Sequence, residues 1–529
     1  MRLAGILKIT VTIVLAITVL IACRSGSSTS QRSAADADSS SVATATVPQN
    51  LDRSCDLAQY PSVQWTQCEL ANFAKTAEAP AEQLNPAFVQ RLTEQSLLNT
   101  QDWLTRGVSD PSWLSPQAGN TAVLPLCTSG GVQCAADPFR YPAAAGANGA
   151  PFYTDEAEVM PVVFYDRDCA RLSGQVWMPR GVSDITKLPN IVITNGSVQA
   201  PQAAYWFVVQ PLVRAGYMVL TFDPRGQGRS DQQSPNLQQG SNANLAVFWE
   251  GQVDAIDFFR SSPAKPYPHN VACKGTYPTT MTDFNPFWNN QDPKRLGIAG
   301  HSAGAIGVSV VQGYGAQGAE PWPGQIDTEN PVKVAVAWDS FVTPEGEGLA
   351  PLTNIGAPDP LNAVLSSALT GGELPAFGPR VPSLSFSADY GFAPLAYTSP
   401  PNPDSHNLAM LLWQEAGIPF YSLTFQGTTH FDYSLIPTFP STSWCPDPES
   451  GACEEGWGAP AIVYYSVAWF DRWLKLAGEA GYDDADQRLV DDAGSQGAIK
   501  MSFRYISARD YSDRFGNSQR CDDIRAGCL

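Results

Sequence analysis

A chain of 529 residues, 43% of them hydrophobic, is long enough to bury a large core, and one enlarged catalytic domain with an N-terminal extension fits that length. Its 51 acidic and 32 basic side chains leave a net charge of −19, which argues against nucleic acid or any other polyanion as the partner. Eleven cysteines without Cys-x-x-Cys spacing, and only four histidines, argue against a metal centre and for an oxidising compartment.

In chain order, the first apolar run is 10–22, preceded by Arg2 and Lys8. It is too short to cross a bilayer comfortably and suits the core of a signal peptide. It ends Leu20-Ile21-Ala22-Cys23, which resembles the bacterial lipobox. That resemblance implies a signal peptide over 1–22, acylation of Cys23 and a place in the cell envelope. Arg24, where an Asp would favour inner-membrane retention, points to the outer membrane. Residues 23–50 are rich in Ser, Ala, Thr and Asp and read as a flexible tether. Residues 51–150 read as a disulfide-pinned extension, in which Phe88, Leu92, Leu97, Leu98 and Trp103 recur at helical spacing.

Residues 151–480 alternate strand-like and helix-like runs. Apolar strand segments fall at 162–165, 174–178, 191–194, 217–222, 295–299, 332–338, 381–386 and 418–425. Helices are predicted at 202–215, 243–260, 303–311 and 461–477. This alternation predicts the α/β class, with a mostly parallel sheet covered on both faces. The stretch 343–380 interrupts the core and reads as a cap-like insertion over a substrate pocket. Residues 481–529 form a C-terminal appendix. Setting Cys23 aside leaves ten cysteines, and four pairs lie close together: Cys55 with Cys68, Cys127 with Cys134, Cys445 with Cys453, and Cys521 with Cys528. Cys169 and Cys273 remain as a long-range pair.

The chemistry-bearing stretch is Gly300-His301-Ser302-Ala303-Gly304, between an apolar strand and a small-residue helix. Strand, tight turn and helix is the setting that holds a serine hydroxyl exposed for attack, and the flanking glycines admit the close backbone packing such a turn needs. A serine needs a base. His269 lies in a proline-rich loop, His301 inside the turn and His406 beside a run of prolines. His430 follows the strand at 418–425 and is the expected base. Two backbone N–H groups should hold the oxyanion. These are Ala303, after the serine, and Ser197, in the Asn195-Gly196-Ser197 turn, with Val198 as the runner-up. Trp206, Trp338, Tyr390 and Phe392 near strand ends are candidates for an apolar acyl or aromatic site, though each also suits the core.

These segments resemble the α/β-hydrolase family, and more loosely its secreted bacterial esterase, lipase and polyester-hydrolase branch. The residues that carry the resemblance are Asn195-Gly196-Ser197, the run from Phe222-Asp223-Pro224-Arg225 to Ser230, Gly300 to Gly304, Ser387-Ala388-Asp389 and Thr429-His430-Phe431. The family often carries His-Gly where this chain has Asn195-Gly196. The resemblance places the catalytic acid between serine and histidine in chain order. Asp389 is favoured because it ends the strand just before the histidine strand, and Asp339, ending the strand at 332–338, is the alternative. The implied activity is hydrolysis of a carboxylic ester, small or polymeric, through an acyl-enzyme, without cofactor or metal. A peptidase or amidase using the same residues, or an inactive surface-binding module, are the rival readings.

Overall fold

The computed structural model describes residues 43–46, 48, 50–76, 101, 104–120, 152–197, 201–241, 243–345, 374–391, 395–434 and 459–528. Cys23 with its signal peptide, most of the tether, the stripe from Phe88 to Leu98 with Trp103, the pairs Cys127–Cys134 and Cys445–Cys453, Val198, Phe392 and most of the cap-like insertion lie outside the described residues.

Among the described residues nine strands form one sheet: β1 (Ala157–Tyr165), β2 (Arg171–Pro179), β3 (Leu188–Thr194), β4 (Met218–Phe222), β5 (Gln291–His301), β6 (Val332–Trp338), β7 (Ser383–Tyr390), β8 (Phe420–Thr429) and β9 (Ala508–Asp510). Their spatial order is β1-β2-β4-β3-β5-β6-β7-β8-β9. The six strands from β4 to β8 in that order run parallel, while β1, β2 and β9 pair antiparallel at the edges. The parallel strands are almost wholly buried, because both faces are covered and alternate side chains enter opposite cores.

Alternation sorts the side chains. Ile191, Ile193, Ala299, Val334, Val336, Leu384, Phe386, Tyr421 and Leu423 share one core with α2 (Trp206–Arg214) and α6 (Ala459–Leu474). Val192, Leu220, Ile298, Ala335 and Ala337 share the other with α3 (Val247–Arg260), α4 (Ala303–Gly313) and α5 (Leu408–Glu415). Gly297 lets α6 approach β5 closely, since a Cβ there would meet the Phe470 ring at 2.7 Å. The expected mostly parallel, doubly covered α/β sheet is therefore present.

The extensions join this body. Helix α1 (Val63–Lys75) is capped by Ser62, whose hydroxyl accepts the Trp65 N–H, and it packs against β8. Leu489, Met501, Tyr511 and Ile524 enter the same core as α6, and β9 extends the sheet beside β8. The described residues from Ala43 onward form one compact unit. Three expected disulfides are formed: Cys55–Cys68, Cys169–Cys273 and Cys521–Cys528. Among the described residues no helix is long and apolar enough to cross a membrane.

Candidate active site

The strand β5 runs straight into the turn at Ser302 and then into α4. Ser302 has φ 58° and ψ −124°, a conformation that costs a side-chain-bearing residue about 1–3 kcal/mol and persists only where its surroundings enforce it. The enforcement comes from two glycines. A Cβ on Gly300 would lie 2.3 Å from the Gly304 carbonyl oxygen, and one on Gly304 2.3 Å from that of Thr194. The Ser302 N–H donates to the Trp338 carbonyl at 3.2 Å, tying the turn to the end of β6.

His430 begins a single helical turn directly after β8. Asp432 shapes that turn, because its Oδ2 accepts the Thr429 N–H at 2.6 Å and the Thr429 hydroxyl at 2.8 Å. Burial pushes the Asp432 carboxyl up to about 7. The His430 N–H donates to the Gly391 carbonyl at 3.1 Å. This support places His430 Nε2 3.0 Å from Ser302 Oγ.

The partner of His430 Nδ1 is Asp339, through its Oδ2. Asp339 is fully buried, and its other oxygen accepts the Ala388 N–H at 2.9 Å. The preference for Asp389 is thereby corrected. Asp389, the residue after Ala388, accepts hydrogen bonds from Asn72 Nδ2 at 2.7 Å, Ser502 Oγ at 2.8 Å and the Gly427 N–H at 2.9 Å, and pairs with Arg504 at 2.8 Å. Its lone pairs are occupied, and Arg504 with these hydrogen bonds holds its carboxyl below the usual range despite burial. Asn72 and Ser502 come from α1 and the C-terminal segment, so nothing near Asp389 in the sequence announces this cluster.

The Asn195-Gly196-Ser197 turn lies against the serine. A Cβ on Gly196 would sit 2.9 Å from Ser302 Cβ. Asn195 Nδ2 donates to Asp223 Oδ1 at 3.1 Å, and the same carboxylate accepts the Gln202 N–H at 2.6 Å and the Arg229 N–H at 3.0 Å. The Asp223–Ser230 loop, expected to be structural, is tied down further by Arg225 pairing with Asp166 and Asp168. The Gly196 N–H is engaged by Tyr205 Oη at 2.9 Å. Ala303 opens α4, so its N–H is among those the helix leaves without an internal acceptor.

His269 and His406 sit elsewhere. His269 lies 3.4 Å from Asp254, and His406 stacks on Tyr505 with ring centroids 3.6 Å apart. Trp206 packs edge-on against Trp177, Trp338 Nε1 donates to Ser466 Oγ, and Tyr390 belongs to the Asp389 cluster, which makes all three core residues. A cavity of about 590 Å³ lined by Tyr267, Lys274, Tyr277 and Phe284, among others, contains none of the residues around Ser302. Among the described residues no group of His, Cys, Asp and Glu is placed to hold a metal ion.

The strand order, the two helical layers and a serine on a strand–turn–helix make this an α/β fold of the hydrolase type. No family model matches the chain, and no curated protein does. Solved structures with a similar course include acylaminoacyl peptidase from Pyrococcus horikoshii (13% identity, 63% of this chain and 45% of that chain, TM-score 0.35). Another is the AtxE2 isopeptidase with astexin-3 bound (15% identity, 63% and 43%, TM-score 0.36). A third is vibralactone cyclase (12% identity, 54% and 76%, TM-score 0.35). The match spans less than half the length of the first two.

Proposed function

We propose that this protein is a serine hydrolase that cleaves carboxylic esters through an acyl-enzyme. The observation that carries the reading is the continuous line Ser302 Oγ, His430 Nε2, His430 Nδ1, Asp339 Oδ2. In the neutral imidazole Nδ1–H donates to Asp339, which leaves the Nε2 lone pair facing the serine hydroxyl. Ser302 Oγ attacks the ester carbonyl while its proton passes to His430 Nε2. Asp339 stabilises the imidazolium, and the Ser197 and Ala303 N–H groups take the oxyanion. His430 then delivers the proton to the departing alkoxide. Water, deprotonated by the same nitrogen, releases the acid and restores Ser302. The engagement of the Gly196 N–H by Tyr205 supports Ser197 as the donor from that turn.

An activated ester is the easier acyl donor, and an amide would call on the same groups with a worse leaving group. The test is fluorophosphonate labelling with mass-spectrometric mapping, followed by a panel of p-nitrophenyl esters against peptide anilides. An adduct on Ser302 with faster ester turnover is expected. Preferential anilide cleavage would move the assignment to a peptidase, and no adduct on folded protein would leave a binding module. Acylation at Cys23 belongs to the same proposal and places the enzyme on a membrane surface of the cell envelope. Incorporation of labelled palmitate that is lost in Cys23→Ser checks it.

A further inference from the structure

Three hydrogen bonds beneath the candidate nucleophile join the two loops that flank it. His301 is 1% exposed and precedes Ser302, and its ring packs beside that of His430 while its two nitrogens meet Tyr205 and the His430 carbonyl. Its Nε2 lies 2.9 Å from the His430 carbonyl oxygen, an acceptor only, so Nε2 carries the proton. Burial, and then the neighbouring His430, hold the His301 imidazole well below its ordinary range, so it is neutral. With Nε2 protonated, Nδ1 is an acceptor, and the Tyr205 hydroxyl donates to it across 2.8 Å. Tyr205 Oη in turn accepts the Gly196 N–H at 2.9 Å. Burial raises the Tyr205 phenol above its usual range, so it keeps its proton. Every donor in the line therefore has one consistent direction, from Gly196 through Tyr205 to His301, and from His301 to the His430 backbone.

We propose that Tyr205 and His301 are positioning residues, which hold the Gly196–Ser197 turn and the His430 backbone in register on either side of Ser302. The proposal rests on the hydrolase reading above and goes further by assigning work to two residues outside the reacting line. The relay acts at both ends at once. One end fixes the turn that offers the Ser197 N–H to the oxyanion. The other fixes the chain from which the imidazole of His430 projects, and the two rings lie 4.5 Å apart at their centroids. A neutral His301 is required there, because a second positive charge beside His430 would oppose formation of its imidazolium. Displacing either group by about 1 Å costs on the order of a hundredfold in rate without weakening ground-state binding.

The test begins with fluorophosphonate labelling of the wild type. An unlabelled wild type removes the hydrolase reading, and the inference falls with it. On a labelled wild type, Tyr205→Phe deletes one oxygen and should lower kcat by about ten- to a hundredfold with KM within about threefold. His301→Gln should do the same. Tyr217→Phe serves as the comparison. Its hydroxyl donates to Asp471 Oδ1 at 2.7 Å in the buried core away from the site, and its loss should lower Tm while kcat per active site stays at the wild-type value. A Tyr205→Phe enzyme that is folded and turns over within twofold of the wild type overturns the inference while leaving the hydrolase reading intact. Should both site variants fail to fold, nitrogen-15 NMR of the wild-type histidines decides. A neutral His301 with its proton on Nε2 supports the relay, and a proton on Nδ1 overturns it.

Discussion

Asp339 reaches His430 from a backbone turn in which it and Ser340 both have positive φ, 66° and 95°. Such angles are unusual for residues with a side chain, and Asp tolerates them better than most. The turn ends β6 and aims the carboxylate across the end of β7 to the histidine that follows β8. Asp339→Asn should therefore lower kcat by about a thousand- to ten-thousandfold, since an amide in that place favours the wrong imidazole tautomer. Steady-state kinetics on p-nitrophenyl butyrate, with folding checked by circular dichroism, measures it. A variant near wild-type activity would remove Asp339 from the reacting line.

Asp389 should behave differently. It is paired with Arg504, which also pairs with Glu69 on α1, and all three are buried. Removing one partner leaves a buried charge uncompensated, at a cost of about 3–5 kcal/mol, whereas replacing both by apolar groups of similar volume costs much less. Arg504→Met alone is expected to lower stability by that amount in urea unfolding, and Asp389→Leu with Arg504→Met to recover a substantial part of it. Per folded molecule, Asp389→Asn should retain far more activity than Asp339→Asn, because its hydrogen bonds to the histidine loop run to Gly427 and Thr428 and not to the His430 imidazole. Equal losses from the two aspartates would show that Asp389 takes part in the chemistry.

These two aspartates mark how far the sequence could be read. The glycine pattern around Ser302 and the strand before His430 are local signals, and both residues lie where they point. The parallel sheet was legible for the same reason, since strands covered on both faces leave continuous apolar runs. The acid was not. Both candidates end strands, and the choice depends on Asn72, Ser502 and Arg504, which arrive from more than a hundred residues away and occupy Asp389. Tyr205 was equally hidden, because a tyrosine beginning a helix looks like core until its hydroxyl is seen between Gly196 and His301. The one available signal for Asp339 was local: of the residue types that tolerate positive φ, Asp is among the commonest, and it sat at the very end of a strand.

The glycines give a graded test of the turn. Gly304→Ala would place a methyl group 2.3 Å from the Thr194 carbonyl oxygen and 2.6 Å from that of Asn195, backbone atoms with no flexible group to yield. It should abolish soluble expression or lower Tm by several degrees, as overpacking of a rigid contact costs about 1–3 kcal/mol or more. Gly196→Ala meets Ser302 Cβ at 2.9 Å and Tyr205 Oη at 3.1 Å; the tyrosine hydroxyl can yield, and the serine Cβ must move with its backbone by a few tenths of an ångström. This variant is expected to fold and to lose turnover, because the displaced groups are the candidate nucleophile and the proposed relay beside it. Differential scanning fluorimetry and active-site titration separate the two outcomes. A Gly196→Ala enzyme with wild-type kcat would show that the turn does not bear on catalysis.

The response to acid can be traced to a buried base. His406 is enclosed by Tyr505, on which it stacks, and by Thr424, whose hydroxyl lies 3.2 Å from Nδ1. The charged groups acting on it are Asp389, Asp339 and Arg504, but burial is the largest influence and depresses it to about 4 from an ordinary 6.5. A folded value below the unfolded one means that the unfolded chain binds the proton first. The stability His406 contributes is thus complete above about pH 6.5 and is lost as pH falls towards 4, a span worth about 3 kcal/mol. Asp166 and Asp432, both pushed up to about 7 by burial, act in the opposite direction over the same interval, because the folded state then holds the extra proton. Total stability against pH therefore mixes the two effects, and the informative quantity is the difference between wild type and His406→Phe. The phenyl ring preserves the stack on Tyr505 and cannot titrate. Urea unfolding at pH 7 and pH 4.5 should show the wild type losing more stability on acidification than the variant, by roughly 2–3 kcal/mol. Parallel loss in both proteins would mean that His406 is protonated as readily in the folded chain as in the unfolded one.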